Sequence, residues 1–274
     1  MADTVYELYR SGKVVWVEDE LTREVLTILW GPCRFHVAIG GSKDGVAALV
    51  AGAPMSLRGR VFGIEDLDFA RPNRDAWHTA TTLRLTVHEA ENLVLDPDAI
   101  AAVSVANRGD GTPSVVADRM LALARSSVSW MACRAVLRVF AETLHFPKDP
   151  AVGSVNDSDT AARFIRSDPS WASAPTSWAA WSQPGRLEKE LVEWEKLYLK
   201  AAESGDWRAS FSGKEILRGL RSDARLKLDA TPRNRRSTPA ERDLDLAKML
   251  AHKMVELGRV PGDVSAMRDA LLAR

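Results

Sequence analysis

Short apolar runs and segments of helical period take turns along the first 110 residues. "KVVWVE" (13–18) is short, β-branched and aromatic, the pattern of a buried strand. "DELTREVLTILW" (19–30) follows, with Leu21, Val25, Ile28 and Leu29 at helical spacing, and "GP" ends it. "RFHVAI" (34–39) predicts a second strand. "GGSKDGVAALVAGA" (40–53) predicts a glycine turn and then an apolar helix capped by Ser42. "RVFGI" (60–64) and "LRLTV" (83–87) predict a third and a fourth strand. Strands interleaved with helices give an α/β fold with a mainly parallel sheet flanked by helices.

Beyond residue 110 the period becomes helical. "SVVADRMLALARSSVSWMACRAVLRVFAETL" (114–144) reads as one long helix or two. "LEKELVEWEKLYLKAAES" (187–204) carries Leu187, Leu191, Trp194 and Tyr198 along one face, and "ERDLDLAKMLAHKMVELG" (241–258) is similar. Connectors containing Pro and Ser, notably 168–185, lie between them. The predicted division is an α/β domain at 1–110 and a mostly helical region at 111–274, with the boundary near "RGDGTP" (108–113).

Composition narrows the setting. The 274 residues suffice for one large domain or two modest ones, and 46% apolar with 27% charged residues is ordinary for a globular chain. With 37 basic and 37 acidic residues the net charge is zero, so attraction for nucleic acid has to come from local patches. Cys33 and Cys133 have no metal-ligand spacing, which predicts reduced thiols in a cytoplasmic protein. "MADTVYELYRSGK" lacks the layout of a signal peptide, and no apolar stretch reaches the roughly 20 residues of a membrane span.

Candidate chemistry centres on "RVFGIEDLDFARP" (60–72), where an apolar strand runs into Glu65, Asp66 and Asp68. Ligands of a parallel α/β sheet gather beyond the carboxyl ends of its strands. That rule places Glu18, at the end of the first strand, on one rim with Asp66 and Asp68, while strand alternation turns Glu65 away. Carboxylates crowded on one edge oppose each other's ionisation. A hard divalent cation, Mg²⁺ or Mn²⁺, relieves the conflict through oxygen ligands and can activate a phosphodiester. The competing reading of Asp66 and Asp68 is a solvated turn after a strand.

"VVWVED", with a Glu closing the first strand, and "VFGIEDLDF", with Asp-x-Asp closing a later one, resemble the TOPRIM family. "LTVHEAENLVLDPDAI" (85–100) and "FSGKEILRGL" (211–220) resemble segments of its OLD-like nuclease branch, and the pattern is most similar to the small TOPRIM effectors of PARIS-type anti-phage defence. The resemblance implies a Mg²⁺-dependent endonuclease acting as a toxic effector on DNA or RNA (transfer RNA included), controlled by an ABC-type ATPase partner. It implies Glu18 as metal ligand or general base, Asp66 and Asp68 as metal ligands, Glu91 as a further acid of the site, and Lys214 near the scissile phosphate. The chain departs from the family in two places. Asp19 stands where many members have Gly, and Thr22 stands where OLD-like nucleases place a second acid, leaving Asp19 or Glu20 as its stand-in. A non-catalytic TOPRIM docking module and a strand-transfer or primase-type enzyme are the alternatives.

Other features have plainer readings. Glu91-Asn92 also suits a helix N-terminal acid and cap, and Lys214 a solvated or capping lysine. "GGSKDG" (40–45) lacks the Walker spacing and reads as a turn and cap. Arg233, Arg235 and Arg236 form a basic loop that could follow a phosphate backbone or be balanced surface charge. Trp171, Trp178, Trp181 and Trp194 favour helix packing or a partner interface, a homodimer included, over base stacking.

Overall fold

The computed structural model describes residues 12–32, 35–69, 77–144, 154–167, 183–205, 207–229 and 237–274. Its sheet has four strands, all parallel, in the order β2-β1-β3-β4. These are β1 (Lys13–Val17), β2 (Phe35–Ile39), β3 (Val61–Glu65) and β4 (Thr82–Arg84). β1 pairs on both edges, and Val14, Val15 and Val17 have no exposed surface, which explains the unbroken apolar run. The α/β class with a parallel sheet and a mostly helical C-terminal region is what the pattern predicts.

Helix α1 (Glu20–Trp30) joins β1 to β2. It begins where Asp19 Oδ1 accepts the Thr22 amide and hydroxyl, both at 2.8 Å, and ends at Gly31, whose φ of 65° suits glycine. Helix α2 (Lys43–Ala51) joins β2 to β3 and is capped by Ser42, as its sequence predicts. Val46 and Val50 of α2 pack on Val14, Trp16, Ala38 and Val61 of the sheet. β3 passes so close beneath that a Cβ on Gly63 would lie 2.7 Å from Val46 Cγ1 and 3.2 Å from Val50 Cγ2.

The fourth strand is shorter than the 83–87 expected. Leu85 still donates to the Glu65 carbonyl at 2.9 Å, but β3 stops at Glu65 and leaves no ladder for the following residues. The chain then makes a 3₁₀ turn, Ala90–Val94, and enters α3 (Pro97–Ala106), capped by Asp96 with Pro97 in its first turn.

The remaining helices are α4 (Pro113–Ser126), α5 (Val128–Leu144), α6 (Ser158–Arg166), α7 (Arg186–Ser204), α8 (Trp207–Ser210), α9 (Gly213–Arg221), α10 (Pro239–Glu256) and α11 (Gly262–Leu272). The pattern over 114–144 is thus two helices. Two compact units result: the described residues up to Ala117 together with Leu217–Arg274, and Asp118–Ile216. The first division lies close to the boundary read at 108–113, but the last two helices return to the unit that holds the sheet. There α10 packs on α1 and α3 and buries Leu246, Leu250 and Met254, and α11 packs on α1. Trp30 Nε1 donates to the Val264 carbonyl at 2.9 Å. Lys13 Nζ donates to the carbonyls of Leu271 (2.7 Å) and Leu272 (3.1 Å), placing a cation at the negative end of α11.

In the second unit, α5, α6 and α7 enclose a core that includes Cys133, Val136, Ile165, Leu187 and Leu191. Trp194 packs against that core and stacks on Tyr198, with ring centroids 6.0 Å apart, so this tryptophan serves helix packing. Cys133 is buried. Cys33, Trp171, Trp178, Trp181, Arg233, Arg235 and Arg236 lie outside the described residues. No helix among the described residues is long and apolar enough to cross a membrane.

The close passage of β3 under α2 makes Gly63 a packing requirement. Gly63→Ala is expected to lower stability by about 1–3 kcal/mol through overpacking, measured as a shift of the urea midpoint. Gly59→Ala, where a methyl group meets nothing within 4 Å, is the control and should leave the midpoint nearly unchanged.

Candidate functional site

The carboxyl ends of β1 and β3 are joined by side chain as well as by backbone. Glu18, one residue past β1, accepts the Asp66 amide on Oε1 at 2.9 Å. On the other edge the β1–β2 ladder continues past the strands, with Gly40 N–H donating to the Val17 carbonyl (2.7 Å) and Gly41 N–H to that of Glu18 (3.0 Å). This turn needs its glycines. Gly41 has φ 92°, and a Cβ on Gly45 would lie 2.3 Å from the Gly40 carbonyl oxygen. "GGSKDG" is therefore a close backbone crossing with a Ser42 cap, Ser42 Oγ accepting the Gly45 amide at 3.1 Å.

That turn delivers Lys43, the first residue of α2, to the same rim. Its ammonium lies 2.6 Å from Asp68 Oδ2 and donates to the Asp66 carbonyl at 2.8 Å. Asp68 sits at φ 48°, a conformation that Asp tolerates better than most residues. Its amide donates to the His88 carbonyl at 2.8 Å, and His88 Nδ1 donates back to the Asp68 carbonyl at 2.6 Å. Buried His88 thus holds the Asp68 loop in place.

Electrostatics single out Asp66. The residue keeps some exposed surface, but its Oδ1 is enclosed and has no hydrogen-bond partner among the described residues. Burial pushes its carboxyl well above the usual carboxylate range, and the charges of Glu18, Asp68, Glu91 and Asp19 push it further. Glu18 is also raised, by burial first; the Asp66 amide and Lys43 pull it back, while Asp68 and Glu65 add to the rise. Four acids therefore act on one buried carboxyl, and Lys43 is the cation that acts on Glu18.

Glu18, Asp66 and Asp68 share one rim, as the strand-end rule predicts, with Glu91 close enough for its charge to reach Asp66. Glu91 is buried in the 3₁₀ turn, whose start is capped by a reciprocal pair: Asn92 Oδ1 accepts the Glu89 amide at 3.1 Å. Asp19 is committed to capping α1, and Glu20 pairs with Arg23 at 3.1 Å. Thr22 is 2% exposed and donates its hydroxyl to Asp19, so a polar but uncharged group occupies that position. Glu65 is turned to Arg84, 3.6 Å away on the neighbouring strand. Lys214 belongs to the other unit, in the first turn of α9. Lys43 is the member that sequence reasoning missed. The rim rule applied to the turn after β2 would have found it.

The donor set is all oxygen, and an enclosed, unbonded carboxylate oxygen suits a hard divalent cation. The residues fit such an ion in chemistry but are not gathered around a ready position for it. Among the described residues, no group of three or more His, Cys, Asp or Glu side chains is arranged to hold a metal. Comparison with models of protein families, with curated proteins and with solved structures finds no match to this chain.

Removing the most opposed charge should relax the fold. Asp66→Asn is expected to raise the thermal unfolding midpoint at pH 7, read by circular dichroism without added divalent cation. A lower midpoint would mean that the Asp66 charge is stabilising in place.

Proposed function

We propose that this chain is a metal-dependent phosphodiesterase acting on nucleic acid, with the acidic rim of the sheet as its active site. The observation that carries the reading is Asp66 Oδ1: an enclosed carboxylate oxygen without a partner among the described residues, among acids that oppose its ionisation, beyond the carboxyl ends of parallel strands. Glu18, Asp66 and Asp68 would hold the ion, Mg²⁺ or Mn²⁺, with Glu91 as an outer acid. The chemistry such an ion supplies when bound is Lewis-acid activation of a phosphoryl group. The chain's own part is to set the ligands: the Asp66 amide orients Glu18, and the Asp68–His88 bonds fix the loop that carries Asp68. The TOPRIM resemblance supplies the setting, a toxic effector of anti-phage defence controlled by an ABC-type ATPase, and names Lys214 as a phosphate contact.

A second reading, a non-catalytic docking module, is favoured by Thr22 in place of an acid and by the absence of an assembled ligand group among the described residues. Cleavage assays separate the two. The full chain, with and without an ABC-type ATPase encoded beside it, is incubated with plasmid, single-stranded DNA and total RNA in Mg²⁺ or Mn²⁺. Cation-dependent cleavage is expected, falling by roughly 100-fold or more in Glu18→Ala and Asp66→Ala. Lys214→Ala tests the phosphate contact. Cleavage that survives both acid substitutions would remove the rim from the mechanism, and no cleavage under any condition would leave the docking module.

A further inference from the structure

Lys43 meets the acidic rim in a way that a surface lysine has no need to. Its ammonium bonds the Asp68 carboxylate at 2.6 Å and the Asp66 carbonyl at 2.8 Å, so it bridges the side chain of one acid and the backbone of the other. Both partners of the ion pair are about one-third exposed or less, with side-chain exposures of 28% and 33%. The lysine is also held from behind. It opens α2, whose start is fixed by the Ser42 cap and by the close Gly40–Gly45 backbone crossing. Lys43 therefore occupies the rim by construction.

Two observations meet at one point. Asp66 Oδ1 is enclosed and has no partner among the described residues, so the rim has unused acceptor capacity. Asp68, two residues on, has its Oδ2 held by the Lys43 ammonium. We infer that Lys43 is the built-in counter-ion of the acidic rim and sets its affinity for a divalent cation by competing for Asp68. The inference rests on the proposed reading of the rim as a cation site.

The physical logic is electrostatic. The Lys43 ammonium takes one acceptor position of the Asp68 carboxylate and neutralises part of the charge that a cation would be drawn to. The ammonium also repels a second positive charge entering beside it. Without the cation the lysine lowers the mutual repulsion of the acids. With the cation present its ion pair with Asp68 is weakened. Lys43 thus stabilises the empty rim and weakens the loaded one, and the same residue raises the cation concentration at which the site fills.

The test is calorimetric titration of the full-length wild type, Lys43→Met and Lys43→Arg with MnCl₂ and MgCl₂, alongside thermal melts with and without the same salts. Lys43→Met keeps an unbranched apolar stem and removes the charge together with its N–H donors. It is expected to bind Mn²⁺ about fivefold tighter than wild type, the size of effect that a part-exposed ion pair supports. It should also melt lower without the cation and regain more on its addition. Lys43→Arg, which retains the charge, should bind no tighter than wild type, and the melts report whether each variant is folded. Binding that is lost in Asp66→Asn but equal in wild type and Lys43→Met would overturn the role of Lys43 and leave the rim as a cation site. Absence of Asp66-dependent binding in both wild type and Lys43→Met would overturn the rim reading and the inference together.

Discussion

Pairing of β1 on both of its edges is the constraint on which the other elements of the sheet unit depend. Hydrogen bonded to β2 on one side and β3 on the other, β1 has its faces sealed, and every residue from Val14 to Val17 is buried. Parallel pairing forces the carboxyl ends of all three strands to one rim. The chain then has to place Glu18, the Gly40–Lys43 turn and the Asp66–Asp68 loop there together. The acids are not gathered by mutual attraction, which their charges forbid. They are brought together by backbone hydrogen bonds between the strands, which form irrespective of the charges beyond the strand ends.

The rim is consequently a balance of opposed terms. Against it stand the desolvation of Asp66 and the repulsion of its acidic neighbours. In its favour, the Asp66 amide makes a charge-assisted bond to Glu18, a class of contact worth about 1.5–3 kcal/mol. Lys43 adds an ion pair that is part-exposed and therefore worth about 1 kcal/mol at most. The amide bond is the larger of the two and is set by the strands themselves. Lys43 is the adjustable one, since its side chain can leave while the backbone stays.

The helices beyond the sheet divide their work. Asp118–Ile216 builds a core of its own around Cys133, Val136, Ile165 and Leu191. The C-terminal helices instead belong to the unit that contains the sheet, where α10 packs on α1 and α3 and Leu246, Leu250 and Met254 are buried. Asp243 is held there by Arg218 at 2.9 Å and by Arg221, so a buried carboxylate is neutralised by two guanidinium groups. It contrasts with Asp66: both acids are enclosed, but the one on the helices has full counter-charge and the one on the sheet rim does not. That asymmetry separates an acid whose charge is compensated within the fold from one whose ionisation its neighbours oppose.

Local period and one topological rule were enough to specify three of the strands, the Ser42 cap and the rim. The run at 13–18 reads as a buried strand and those at 34–39 and 60–64 as strands, Ser42 caps the helix it precedes, and parallel order puts Glu18 with Asp66 and Asp68. Other features arose only on folding. The fourth strand is cut short where β3 ends, the last helices return to the sheet, Lys214 falls in the other unit, and Lys43 arrives on Asp68. None of these is a local property. Each depends on where a partner from elsewhere in the chain stops or arrives, and a lysine in a capped glycine turn looks the same in sequence whether it faces water or an acid.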